Sequence, residues 1–245
     1  MTIYRKAQRT SQQTAALLTL SEVSLGALLL VVLGASLPHL VSSLFAWGIA
    51  MGLYLLIAGL VMAFWSGGPL GWANRVTLMR AVLITIVTAA VWTPLSPLGH
   101  WQWLGVALIA LLLDGVDGWV ARRTGSQTAF GARFDMELDA LLILLLCIGV
   151  MLKTPAGPWV LLIGCMRYGF VAAGWRFPWL QDALYDSLRR KAVCVWQIAA
   201  LLLALVPWAS APVAPLLALS ALVALTCSFG VDTLWLYRQH ALKRR

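Results

Sequence analysis

Long apolar blocks, each interrupted by a few polar or turn-forming residues, recur along the whole chain. A membrane-spanning helix needs about 20 mostly apolar residues. On that scale the blocks predict eight helices, at residues 15–36, 40–64, 76–94, 101–121, 133–152, 157–175, 191–208 and 212–236. Helix breakers fill the gaps between them: Pro38, Gly67-Gly68-Pro69, Pro94 with Pro97, and Pro155 with Pro158. The pattern predicts an all-α, polytopic membrane protein. From Phe177 to Leu188 the mixture of Trp179, Leu180 and Leu184 with Asp182 and Asp186 predicts a short amphipathic helix lying in the membrane interface.

Composition sharpens that picture. The 245 residues are 61% hydrophobic and 11% charged, with a mean hydropathy of +0.86, which excludes a water-soluble domain. Basic residues assign an orientation. With both termini cytoplasmic, sixteen of the eighteen Lys and Arg residues fall on the cytoplasmic side, Lys153 lies opposite, and Arg167 is inside a helix. Short cytoplasmic loops accumulate positive charge, so an even number of spans and this bias agree, in a bacterial-type inner membrane. The net charge of +9 is then a topology signal and calls for no nucleic-acid partner. Arg5, Lys6 and Arg9 precede an apolar run too long for a secretory signal, which is expected to stay as an anchor. The four cysteines lie in four different predicted helices without metal or redox spacing, and are expected to pack as small apolar groups.

The acidic residues are few and uneven. Of nine in the chain, five (Asp114, Asp117, Asp135, Glu137 and Asp139) fall within 26 positions, in the segment DGVDGWVARRTGSQTAFGARFDMELD. Asp114 and Asp117 are three apart and Asp135 and Asp139 four apart, so each pair shares one face of its helix. Two adjacent antiparallel helices then bring four carboxylates together. Unpaired carboxylates at that range repel, and the arrangement calls for cations. Oxygen ligands select Mg²⁺ or Mn²⁺, and two such ions form the usual clamp for displacement at phosphorus. Gly118, Ala121 and Gly131 leave room for a ligand against the backbone, and Arg122 is placed to bind a phosphate oxygen.

The spacing Asp114, Asp117, Gly118, Ala121, Arg122, eight residues, Gly131, Asp135, Asp139 resembles, without gap or substitution, the signature DxxDGxxAR…GxxxDxxxD of the CDP-alcohol phosphatidyltransferases. The resemblance implies that Asp114, Asp117 and Asp135 are the main ligands of two divalent ions, and that Asp139, counted with them in the metal site, deprotonates the acceptor hydroxyl. That hydroxyl would attack the β-phosphorus of CDP-diacylglycerol and release CMP. Upstream, Asn74, Thr77 and Arg80 are similar to the family's PNxxTxxR element, with Ala73 in place of the proline. With Gly118, Ala121, Arg122, Thr128 and Gly131, they are implied to bind the donor nucleotide.

A basic N-terminus at 1–14 and two additional transmembrane helices at 15–66 come first and a basic tail at 238–245 last, and for 67–237 the family likeness implies a six-helix catalytic core. It also implies a homodimer among membrane lipids. On the acceptor side Arg167 is a costly intramembrane charge. With Arg176, it resembles an arginine pair of the glycerophosphate branch, although Tyr168 stands where Glu often follows. Arg189, Arg190 and Lys191 would complete an anion pocket for a small alcohol that itself carries a phosphate, such as glycerol 3-phosphate. Two other classes compete: a polyprenyl-diphosphate transferase, whose acids usually form two separated clusters, and an ion- or proton-coupled transporter, whose acids belong at the midplane.

Overall fold

Eight α-helices make up the described chain: α1 (Thr2–Ser36), α2 (Leu44–Phe64), α3 (Gly71–Val91), α4 (Pro97–Thr124), α5 (Ala129–Lys153), α6 (Leu161–Arg176), α7 (Leu188–Ala204) and α8 (Val213–Lys243). Two 3₁₀ turns, Pro158–Val160 and Pro178–Gln181, precede and follow α6. No strand occurs among the described residues, as the hydrophobic pattern predicts. The computed structural model describes all residues except 1, 66–69, 126, 127, 183, 186, 208–211, 244 and 245. For 2–13, 117, 119–122, 124 and 243 it describes the backbone alone.

Five helices are long and apolar enough to cross a membrane: α1 from Thr14, α2, α3, α4 as far as Val116, and α8 as far as Leu242. The other three expected spans form helices that miss this criterion for identifiable reasons. Acids occupy the start of α5. The 16 residues of α6 and the 17 of α7 reach only about 24 to 26 Å, short of a typical hydrocarbon core of about 30 Å.

Helix ends follow local chemistry. Ser43 Oγ accepts from the Ala46 amide to open α2, and Ser96 Oγ accepts from Gly99 to open α4, with Pro97 in the first turn. Gly125 closes α4 at φ 62°, a left-handed conformation that favours glycine. Thr128 Oγ1 then accepts from the Gly131 amide at 2.9 Å, which starts α5 four residues before the apolar block suggests.

The chain folds as two compact units, residues 1–139 and 140–245. In the first, α3 is the central helix: 78% of its span is buried, against 22% for α1 and 33% for α2. Its buried face is rich in small and β-branched residues (Ala81, Ile84, Val87, Ala90) that let neighbouring helices approach. Trp103 of α4 is fully buried and donates its indole N–H to the Val87 carbonyl at 3.0 Å. Tyr54 of α2 donates its hydroxyl to the Val23 carbonyl of α1 at 2.6 Å. The most apolar helices thus form the outer layer, where lipid is the solvent.

In the second unit, Gly164 lets α6 lie directly on α5, since a Cβ there would sit 3.0 Å from the Leu144 Cα. Phe170 and Phe229 join α6 to α8 edge to face. The interfacial helix expected between Phe177 and Leu188 is not formed by the described residues. Only Pro178–Gln181 turns, as 3₁₀, and Asp182 is already extended. The Gln181 amide donates to the Gly174 carbonyl at 2.7 Å, which ties the turn back onto the open end of α6. Asp186, part of that expectation, lies outside the described residues.

One close approach is directly testable. A Cβ on Gly26 would lie 2.2 Å from the Tyr54 hydroxyl, so Gly26→Ala must break the bond to Val23 or push α2 away. The expected cost is about 1 to 3 kcal/mol. A thermal melt in detergent should show a lowered Tm that adding Tyr54→Phe partly restores.

Candidate functional site

Three helical segments of the first unit build the site. α4 carries Asp114, α5 carries Asp135 and Asp139, and α3 carries Arg80 between them. Oxygen atoms of the three carboxylates lie within 4.8 Å of one another. Arg80 is fully buried while each acid keeps about a third of its side chain exposed. Its Nη1 donates to Asp114 Oδ1 at 2.7 Å and to Asp135 Oδ1 at 2.5 Å. Its Nη2 donates to Asp139 Oδ1 at 2.6 Å and to the Asp135 carbonyl at 3.1 Å. The guanidinium fork therefore gathers three acids from two helices, a task its planar set of donors suits and a lysine ammonium would not.

Charge remains after this pairing. Three carboxylates against one guanidinium leave two negative charges in a half-buried space. A carboxylate has about four lone-pair positions, so acceptance of an arginine N–H leaves each acid able to bind a cation. The donor set is all oxygen, which fits Mg²⁺ or Mn²⁺. Asp117 belongs to the same helical segment as Asp114, but its side chain, like those of Ala121 and Arg122, lies outside the described residues. Gly118 is described as part of α4.

The remaining residues of the expected nucleotide set are brought to the same region of α3 and α5. Asn74 and Thr77 are buried about two turns and about one turn, respectively, before Arg80. Asn74 Nδ2 donates to the Leu70 carbonyl at 2.8 Å, and Thr77 Oγ1 donates to the Ala73 carbonyl at 3.1 Å. Gly131 faces Asn74 so closely that a Cβ would sit 2.5 Å from Asn74 Oδ1. Its missing side chain thus serves helix contact between α5 and α3. Thr128 caps α5. These residues have structural work to do, whatever they bind.

The second unit contains a cavity of ≈ 330 Å³, within the size range of small-ligand pockets. Arg167 and Arg190 line it, with Gln197, Ser228 and Asp232 and apolar walls that include Phe170. The other three basic residues expected here are not among its lining. Arg189 instead clasps α7 to α8, donating to Asp232 Oδ1 at 2.5 Å and to the Ser228 carbonyl at 2.7 Å. Arg176 lies over the Phe177 ring, and Lys191 sits in the first turn of α7. Arg190 donates to the Tyr185 carbonyl. Gln197, 5% exposed, is a lining residue outside the expected set. A buried amide in an apolar helix is the signal that identifies it in sequence.

A family model described as CDP-alcohol phosphatidyltransferase matches residues 70–231. The match takes in α3 to α7 and part of α8, and therefore every carboxylate of the site, while α1 and α2 precede it. No curated protein and no solved structure shows a significant match.

If Arg80 is the cation that holds the acids together, Arg80→Gln leaves them mutually repelling and partly buried. Removing one member of such a buried ionic network typically costs about 3 to 5 kcal/mol. The variant is expected to melt well below the wild type in EDTA and to recover most of that loss in millimolar Mn²⁺. An equal Tm deficit with and without metal would show that the acids are not what Arg80 stabilises.

Proposed function

The chain belongs to the CDP-alcohol phosphatidyltransferase family, a family of membrane transferases of phospholipid biosynthesis, and from that premise we propose that it transfers a phosphatidyl group from CDP-diacylglycerol to a small alcohol. The observation that carries this reading is the convergence of Asp114, Asp135 and Asp139 around Arg80 within the matched segment. In this reading, the three acids and Asp117 hold two divalent ions, Mg²⁺ or Mn²⁺. Bound there, the ions supply Lewis-acid polarisation of the donor diphosphate.

The chain's own residues do the rest. Arg80 keeps the acids in register and offsets part of their repulsion. Asp139 uses one oxygen for Arg80 Nη2, and its other oxygen takes the proton of the acceptor hydroxyl. The deprotonated oxygen attacks the β-phosphorus, the phosphoanhydride bond breaks, and CMP leaves with that bond's electron pair. Arg122 stabilises charge on the phosphates as it develops, where electrostatic preorganisation contributes most. Asn74, Thr77, Gly118, Ala121, Thr128 and Gly131 border the nucleotide, with Gly131 acting through its close contact with Asn74.

The acceptor belongs to the cavity lined by Arg167 and Arg190, two guanidiniums suited to a phosphorylated alcohol such as glycerol 3-phosphate. Arg189 contributes by fixing α7 against α8. Both termini and the carboxylates face the cytoplasm of a bacterial-type inner membrane, and the working form is a homodimer.

Purified protein given CDP-diacylglycerol, Mg²⁺ and a panel of acceptors should release CMP only when metal and the correct alcohol are both present. No metal-dependent release with any acceptor would refute the reading. Asp139→Asn is expected to lower kcat by about 10³-fold or more while CDP still binds, since it removes the base. Arg167→Ala should raise the KM for a phosphorylated acceptor about tenfold and leave that for the donor nearly unchanged. An equal rise in both would remove Arg167 from the acceptor pocket.

A further inference from the structure

Glu22 is an acidic residue inside the apolar span of α1, in a part of the chain that precedes the family match. An ionisable group in such a span is costly and is retained where it has a specific contact to make. Glu22 has three, all to the start of α3. Its Oε2 accepts from the Leu70 amide at 2.8 Å. Its Oε1 accepts from Arg75 Nε at 2.9 Å and Arg75 Nη2 at 2.5 Å. The carboxylate is only 14% exposed.

The start of α3 needs this help. Leu70 is the N-cap residue and supplies no side-chain capping bond, and Ala73 stands in the first turn without the rigidity of a proline. Gly71 enters the helix at φ 77°, which sets no direction by itself. A carboxylate at this end receives an open amide and lies favourably against the positive end of the helix dipole. Arg75 is held from its other side by stacking on Trp72, with its guanidinium carbon 5.0 Å from the ring centre. The next residue of α1, Val23, is itself pinned by Tyr54 of α2.

The contacts continue from that point toward the site. Leu70, whose amide is held by Glu22, gives its carbonyl to Asn74 Nδ2. Asn74 in turn packs against Gly131 of α5, and Arg80 lies on the same helix two turns further on. We propose that α1 and α2 are a buttress for the donor site, and that Glu22 is the positioning residue through which they set the register of α3. The nucleotide part of this claim rests on the reading of Asn74 and its neighbours given under Proposed function. The mechanical part does not.

The test uses the full chain in lipid nanodiscs, with Glu22→Ala, Glu22→Gln and Asn74→Ala beside the wild type. Hydrogen exchange reports the first turns of α3, and titration with CDP in the presence of Mn²⁺ reports the nucleotide site. Loss of a cap typically corresponds to about a tenfold change in a local equilibrium. Glu22→Ala should speed exchange across 70–75 and raise the Kd for CDP by about that factor, with α8 unaffected. Glu22→Gln keeps an acceptor for Leu70 and should restore most of both. Should the alanine variant not fold, Glu22→Asp gives the same readout, because it keeps the charge but falls one methylene short.

The outcomes separate the two claims. Unchanged exchange across 70–75 and unchanged CDP affinity in Glu22→Ala, with CDP weakened in Asn74→Ala, overturn the buttress and leave the nucleotide reading standing. Faster exchange in Glu22→Ala, with CDP affinity unmoved in both variants, supports the buttress and overturns the placing of nucleotide on α3.

Discussion

The buried guanidinium of Arg80 is the interaction on which the site depends. Three carboxylates from two helices cannot share a half-buried space in a membrane protein unless a positive charge is already there, and Arg80 supplies it through four hydrogen bonds. Its placement constrains α3, α4 and α5 together, because each acid must reach a donor on a rigid planar fork. The two negative charges left over define what the site still lacks. A divalent cation is the natural complement.

Holding a charge at that position requires a well-fixed helix, and the layering of the first unit meets the requirement. α3 is enclosed by α1, α2 and α4, and its small residues allow the enclosure to be tight. The helices most attractive to lipid are on the outside, which reverses the order of a soluble protein for a simple reason. Apolar surface gains nothing by leaving lipid, so burial is reserved for packing and polar bonds. The bonds from Tyr54 to Val23, from Trp103 to Val87 and from Leu70 to Glu22 are the polar fasteners of this arrangement. They join α2 to α1, α4 to α3, and α1 to the start of α3, in that order.

Basic residues divide into two kinds in the folded chain. Arg80 and Arg189 are bound to acids and to carbonyls, and their charge is consumed in structure. Arg167 and Arg190 line a cavity, and Arg190 also donates to the Tyr185 carbonyl. In sequence all four look alike, and the run Arg189-Arg190-Lys191 looks like a single feature. An α-helix rotates about 100° from each residue to the next, so neighbours in such a run meet different surroundings.

Much of this was legible in the chain. Apolar block lengths determine that the protein is helical and membranous, and the spacings 114/117 and 135/139 determine that acids share a face, because helical periodicity is a local property. The motif around them also sufficed to identify the family. Other features required the tertiary structure. That Arg80 reaches Asp114, Asp135 and Asp139, that Gly131 is small because Asn74 presses on it, and that Glu22 caps a helix 48 residues away all depend on which helices are neighbours. So does the division between Arg189 and Arg190. Periodicity along one helix states which side chains point the same way, but what they point at is decided by packing between helices, and no spacing within a single segment contains that information.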